Sequence, residues 1–204
     1  MILWFFRFLF RLSGWKLDRN IPEGAHNSVM LAAPHTSNWD FPYTIAAFDM
    51  LNIAVRYTVK KELNFFPLGW ILNSMGAIWV DRKPKNKGEK RISMVDAMTN
   101  LFKDRNGEPL VVLVTPEGTR SKRTNWKTGF YHVATNANVP IALGYVDFKR
   151  KIAGVGKVIH PSGDIAKDMR EIMEFYNTIG PKNPKDFSVD VRYFGEEEGI
   201  RAKQ

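Results

Sequence analysis

The stretch Ala33-Pro34-His35-Thr36-Ser37-Asn38-Trp39-Asp40 holds an imidazole and a carboxylate with four residues between them. A carboxylate that orients an imidazole makes a general base. A regular helix turns about 100° per residue, so residues five apart sit about 140° apart around its axis and do not pair. Pairing of His35 with Asp40 therefore needs an irregular turn. Thr36, Ser37 and Asn38 are capping types, and Pro42 disfavours helical geometry at Phe41. One such pair is a weak signal alone. A second cluster, Pro116-Glu117-Gly118-Thr119-Arg120, leaves the apolar run Leu110–Val114 on a proline and turns at a glycine. Its side chains then sit at a strand's carboxyl end, where open α/β sheets bind ligands. Arg120 offers a bidentate clamp for phosphate, Thr119 adds a hydroxyl, and Glu117 either holds the arginine or shapes the turn.

The elements that must position these residues follow from periodicity. A short strand over 29–33 delivers His35 into its turn, a helix follows Pro42 over 43–51, and 53–59 alternates like a strand. Phe65–Leu72 is an aromatic cluster broken by Pro67 and Gly69, Gly76–Arg82 reads as a strand ending in a charged pair, and Lys83–Arg91 as a mobile basic loop. A helix over 92–103 precedes the apolar strand 110–114. A helix over 126–137 leads into strand 141–146, with 151–159 as its hairpin partner and a helix over 165–178. Residues 187–194 read as a short extended piece. Alternating strands and helices predict an α/β single domain over 18–204, with a mixed central sheet flanked by helices.

Residues 1–17, MILWFFRFLFRLSGWKL, are apolar nearly all round, with Arg7 and Arg11 on one face. A helix of about 16 residues is about 24 Å long, short of the roughly 30 Å hydrocarbon core. Two mid-segment arginines oppose spanning, and no signal-peptide pattern is evident. The segment reads as a helix lying in the membrane interface, against the alternative of a helix packed on the domain.

At 204 residues the chain suits one well-cored domain, and its formal charge of +9 with a pI near 9.7 asks for an anionic partner. Nucleic-acid binding would interleave basic residues with aromatics, whereas here the aromatics gather in apolar blocks. Without cysteine there is no thiol nucleophile and no thiolate metal site. His26, His35, His132 and His160 form no paired ligand motif, so no metal site is expected. Phosphate-loop, dinucleotide-fold and serine-hydrolase elbow motifs are missing.

His35–Asp40, Gly76–Arg82, Pro116–Arg120 and Val139-Pro140-Ile141 occur in that order. Together they resemble the four blocks of the glycerolipid acyltransferase family, the 1-acylglycerol-3-phosphate acyltransferases. The resemblance spans about Val29 to Val146. It implies transfer of a fatty acyl group from acyl-CoA or acyl-carrier protein to the hydroxyl of a lysophospholipid, 1-acylglycerol-3-phosphate first. The cytoplasmic membrane face would be the setting, with no cofactor beyond the thioester cosubstrate. His35 would take the hydroxyl proton and Asp40 would fix the imidazole. Arg120, with Glu117, Gly118 and Thr119, would receive the phosphate. Arg82, and Lys60 or Lys61, would add positive potential for phosphate or donor. Val139-Pro140-Ile141 would line the acyl-chain side or simply start a strand. Pro34 stands where many phosphatidate-forming members carry asparagine, and Thr115 where phenylalanine is common. These departures bear on the acceptor, leaving a lyso-ornithine lipid or another lysophospholipid as the alternative. A non-catalytic membrane-surface protein would need no His–Asp pair.

Overall fold

The apolar run around Val29 becomes the middle of a seven-stranded sheet in the computed structural model, which describes residues 2–60, 64–80 and 92–194. In chain order the elements are α1 (Ile2–Leu12), β1 (Lys16–Leu17), β2 (Ser28–Ala32), α2 (Asp40–Met50), β3 (Val55–Lys60), α3 (Leu68–Ser74) and β4 (Ala77–Val80). There follow α4 (Met94–Lys103), β5 (Val111–Val114), α5 (Gly129–Ala137), β6 (Ile141–Asp147), β7 (Ile152–Ile159), α6 (Ile165–Asn177) and α7 (Val191–Phe194). The strands lie in the order β1-β7-β6-β2-β5-β3-β4. From β6 to β4 every pairing is parallel, while β7 returns antiparallel to β6 and carries β1 beside it. The sheet is mixed and the architecture α/β, as the alternation of elements predicts.

Central β2 is apolar without alternation because both of its faces are covered. Val29 and Leu31 pack towards α4, α5 and α6 with Phe102, Phe130 and Met173. Met30, between them, faces α2 with Ile45 and Phe48. One pleat thus feeds two cores. Two helices of the first core, α4 and α6, are fixed at their starts by side chains: Ser93 Oγ accepts from Asp96 N–H, and Asp164 accepts from the amides of Ala166 and Lys167.

Parallel order has a functional consequence. The carboxyl ends of β2, β5 and β3 all open on one edge of the sheet, so the turns after Ala32 and Val114 meet there although they are about eighty residues apart in sequence.

Three local expectations change. The helix after His35 begins at Asp40, so Phe41 and Pro42 are helical. Proline is tolerated in a first turn because the amide it lacks has no partner there anyway. Residues 184–186 form a 3₁₀ turn and 191–194 a short helix, in place of an extended end. Asp190 organises that end: its carboxylate accepts from the Trp126 amide at 2.9 Å and from Arg192.

The third change concerns the N-terminus. The helix stops at Leu12, Gly14 turns the chain at φ 76°, and Lys16–Leu17 pair with Ile152–Ala153. Phe10 and Trp15 are buried against Ala46, Ala47 and Val146, and the Trp15 ring meets Tyr43 at 4.6 Å and Phe148 at 4.8 Å. Full burial of one such ring contributes about 1.5–3 kcal/mol. Arg7 is paired with Asp49 of α2. The outward side of α1 is nonetheless apolar: Trp4 is 68% exposed and Leu12 71%, with Phe5 and Phe8 between them. Among the described residues no helix is long and apolar enough to cross a membrane.

Candidate active site

His35 follows β2 directly, after a cis Ala33–Pro34 bond. The turn that carries it is closed by Asp40, whose Oδ2 accepts from the Thr36 amide at 2.6 Å and the Ser37 amide at 2.7 Å. Asp40 is also the first residue of α2, where a negative charge meets the positive end of the helix dipole. The same Oδ2 lies 3.5 Å from His35 Nδ1. The contact is longer than an ordinary N–H···O bond and becomes an ion pair when the imidazole takes a proton. Both side chains are sheltered, at 17% and 5% exposure. Oδ1 of Asp40 is buried and has no partner among the described residues, leaving an acceptor for an imidazole that gains charge. With Nδ1 turned to the carboxylate, Nε2 is the nitrogen left for a substrate proton.

Glu117 occupies a different place from the one its sequence neighbours suggest. It is buried, and both carboxyl oxygens accept from the His35 backbone N–H, at 2.8 and 3.2 Å. It therefore holds the turn that carries His35 rather than facing outward with Arg120. Burial pushes its pKa up to about 8; the His35 N–H opposes the rise and the nearby Asp40 charge adds to it. Beside it, the fully buried Tyr176 hydroxyl sits on the carbonyls of Leu31 and Gly144, and burial raises it well above the usual phenol range. On the other side of the turn, Asn183 donates to Thr36, from its side-chain amide to the carbonyl at 2.8 Å and from its backbone to Oγ1 at 3.2 Å.

The turn after β5 supplies the cations. Gly118 N–H donates to the Thr115 carbonyl at 3.1 Å, with Pro116 at the second position of the turn. Gly118 takes φ 69°, and a Cβ there would lie 2.7 Å from Lys127 Nζ. The missing side chain lets Lys127 fold over the turn, and Lys127 N–H is bonded to the Pro116 carbonyl at 2.9 Å. Arg120 and Lys127 both line the groove that opens at His35. Thr119 Oγ1 accepts from the Ser121 amide at 3.3 Å. Gly118→Ala should therefore displace the ammonium and strain the backbone, destabilising the protein by on the order of 1–2 kcal/mol. Chemical denaturation would measure the loss, and an unchanged midpoint would contradict the packing described.

That groove encloses about 1120 Å³ counted out to its open mouth. Its polar and cationic lining includes His35, Thr115, Arg120 and Lys127, and its apolar lining Phe41, Met94, Met98, Phe130 and Val133. A smaller void behind the His–Asp pair is bounded by Ala32, Phe41, Leu113 and Val146.

Of the remaining sequence candidates, Lys60 closes β3 at the same sheet edge. Lys61 and Arg82 lie outside the described residues, as does the basic loop 83–91. Val139-Pro140-Ile141 starts β6 at the opposite edge, where the Pro140 carbonyl accepts from Val29 N–H and Ile141 is buried. Its contribution is to the sheet, not to the groove. Lys127 and Asn183 went unnoticed in the sequence. The sequence places residue 127 inside a helix over 126–137, whereas α5 starts at Gly129 and leaves Lys127 free to fold over the Gly118 turn, a proximity that carries no signal in the sequence.

A sheltered histidine–carboxylate pair beside the Arg120–Lys127 turn and an apolar groove gives this α/β domain a candidate general base. Comparison with known proteins makes its class specific. The acyltransferase family model matches residues 16–142, and the chain belongs to that family. A 1-acyl-sn-glycerol-3-phosphate acyltransferase of Haemophilus influenzae is 29% identical over 144 residues, covering 68% of this chain and 56% of its own. One of Salmonella typhimurium is 31% identical over 136 residues, covering 64% and 52%. The match thus spans about half the length of these curated relatives. The crystal structure of the 1-acyl-sn-glycerophosphate (LPA) acyltransferase PlsC from Thermotoga maritima superposes with a TM-score of 0.55 at 17% identity, over 86% of this chain and 75% of that one, which shows a shared fold.

Proposed function

We propose that this protein transfers a fatty acyl group from a thioester donor, acyl-CoA or acyl-carrier protein, to the free hydroxyl of a lysophospholipid, 1-acylglycerol-3-phosphate first. The observation that carries the reading is the position of His35, with Asp40 on Nδ1, at the junction of an apolar groove and the Arg120–Lys127 turn. His35 Nε2 takes the acceptor's proton as its oxygen attacks the thioester carbonyl. The tetrahedral intermediate collapses with loss of the thiolate, and the imidazolium returns the proton to the departing sulfur. No acyl-enzyme forms, in keeping with a chain that has no cysteine. Asp40 holds the imidazole tautomer and offsets the charge gained on protonation. Arg120 and Lys127 take the acceptor phosphate, the arginine by its planar fork and the lysine as a point charge. The apolar wall takes a fatty chain. The curated relatives bear the name of this activity, which supports the phosphate-bearing acceptor over other lipids.

The setting follows from α1. Its outward stripe of Trp4, Phe5, Phe8 and Leu12 suits the acyl region of a bilayer, and its arginines suit the headgroups. The protein would then work at the cytoplasmic face, bound peripherally beside its lipid acceptor.

An acceptor panel with labelled acyl-CoA and acyl-carrier protein tests the reading. Incorporation should be greatest with 1-acylglycerol-3-phosphate, and turnover confined to neutral acceptors would overturn it. Arg120→Ala and Lys127→Ala should each raise KM for the phosphorylated acceptor by about 10-fold or more, as loss of a charged hydrogen bond does. Equal losses with neutral acceptors would argue against phosphate recognition.

A further inference from the structure

A second basic cavity lies well away from His35. It is formed where α1, β1 and the far end of α2 meet, and holds about 930 Å³ counted to its mouth. Arg7, Arg11, Lys16 and Arg19 line it, with Asp49 as the acid among its lining residues. Asp49 is already committed to Arg7. Arg11, Lys16 and Arg19 line one cavity, and none of the three has an acidic partner among the described residues. The cavity is separate from the active site, because Asp40 and Asp49 sit at opposite ends of α2, nine residues or about 13.5 Å apart along the axis.

We infer that this cavity is a second, non-catalytic site for the phosphate headgroup of an anionic phospholipid in the bilayer. The chemistry is that of any phosphate: three unneutralised cations in a concave site create a potential that an oxyanion satisfies. The lipid, rather than a free phosphate, follows from the helical wheel of α1. At about 100° per residue, Arg7 and Arg11 lie about 40° apart, with Trp4 and Phe8 about 20° and 60° beyond Arg11. On the other side, Leu3 and Phe10 turn into the domain. The arginines therefore form the boundary between the buried face and the exposed aromatic stripe. With that stripe in the acyl region, the cavity mouth stands at headgroup depth. The site rests on the membrane-facing reading of α1, and its test separates the two.

Binding of the full chain is measured by vesicle flotation, on phosphatidylcholine alone and on phosphatidylcholine with phosphatidylglycerol. The combined variant Arg11→Gln, Lys16→Gln, Arg19→Gln should keep native affinity for neutral vesicles and lose most of the gain from phosphatidylglycerol. A cation near an anionic surface is worth about 1 kcal/mol, about fivefold in affinity, so three removals should weaken anionic binding about 100-fold. A charge-matched variant at exposed sites elsewhere, Lys103→Gln, Lys157→Gln, Lys167→Gln, should lose several-fold less. Equal losses in the two variants would mean a diffuse charge effect and would overturn the site. Millimolar inorganic phosphate should leave anionic-vesicle binding unchanged; competition by it would make the ligand a soluble anion instead. Trp4→Ser with Phe8→Ser should weaken binding to both vesicle types, and if it does not, the reading of α1 fails whatever the cations do. Thermal melts of all variants identify any loss due to unfolding, and among the described residues none of the three cations makes a side-chain ion pair whose removal would unfold α1.

Discussion

His35→Ala is expected to lower acyl transfer by about 10²–10⁴-fold, the usual worth of a positioned general base, while leaving membrane binding and the melting temperature near native. The side chain makes one polar contact among the described residues, with Asp40, and the turn itself is held by backbone amides. Removing the ring therefore removes chemistry and little structure. Single-turnover kinetics with labelled acyl-CoA would give the rate of the transfer step directly. A variant with native turnover would rule out deprotonation by His35. Asp40→Asn should behave differently. The amide can no longer accept as an anion from Thr36 and Ser37, so the loss of rate should come with a loss of stability.

Glu117→Gln is expected to flatten the dependence of stability on pH between about 5 and 8. In the folded protein this carboxyl ionises near 8, against an ordinary value of 4.5. The native state therefore holds a proton that the unfolded chain releases across that interval. Stability from this group is fully present below about 4.5 and is lost as pH rises towards 8, by an amount on the order of a few kcal/mol. Glutamine imitates the protonated acid and keeps a carbonyl for the His35 N–H. Melting temperatures of the native protein should fall between pH 5.5 and 8.5 by several degrees more than those of the variant. Parallel curves would show that Glu117 does not carry the proton. Replacement by alanine is a harsher change, because the His35 amide would lose its acceptor.

The parts that could be read in the sequence were those encoded locally. The α/β alternation follows from runs of apolar residues, and the cationic end of the site from a proline–glycine turn after one of them. His35 and Asp40 were visible as types at a spacing, although the helix was expected to start three residues later. Sequence neighbours leave Glu117 either holding Arg120 or shaping its own turn, whereas β2 and β5, adjacent in the sheet, bring it beneath a histidine 82 positions earlier. The same holds for β1, two residues long and devoid of pattern, which exists only because Ile152–Ala153 are there to pair with it. Phe187–Phe194 alternates well enough to look extended, yet the Asp190 carboxylate gathers the amides of Trp126 and Arg192 and bends it.

The bonds around Thr36 set an order in time. Asn183 is 147 residues downstream of Thr36, Tyr176 is 145 downstream of Leu31, and the α2 ring of Phe48 seats on the sheet because Gly144 lacks a Cβ, which would lie 2.6 Å from it. A chain emerging from the ribosome thus makes its histidine and aspartate well before Asn183, the residue that clasps their turn. Chains that stop short of Asn183 would carry the His35–Asp40 pair without the bonds that clasp its turn. The turn that carries the pair is therefore set only after β6 and α6 have joined the domain.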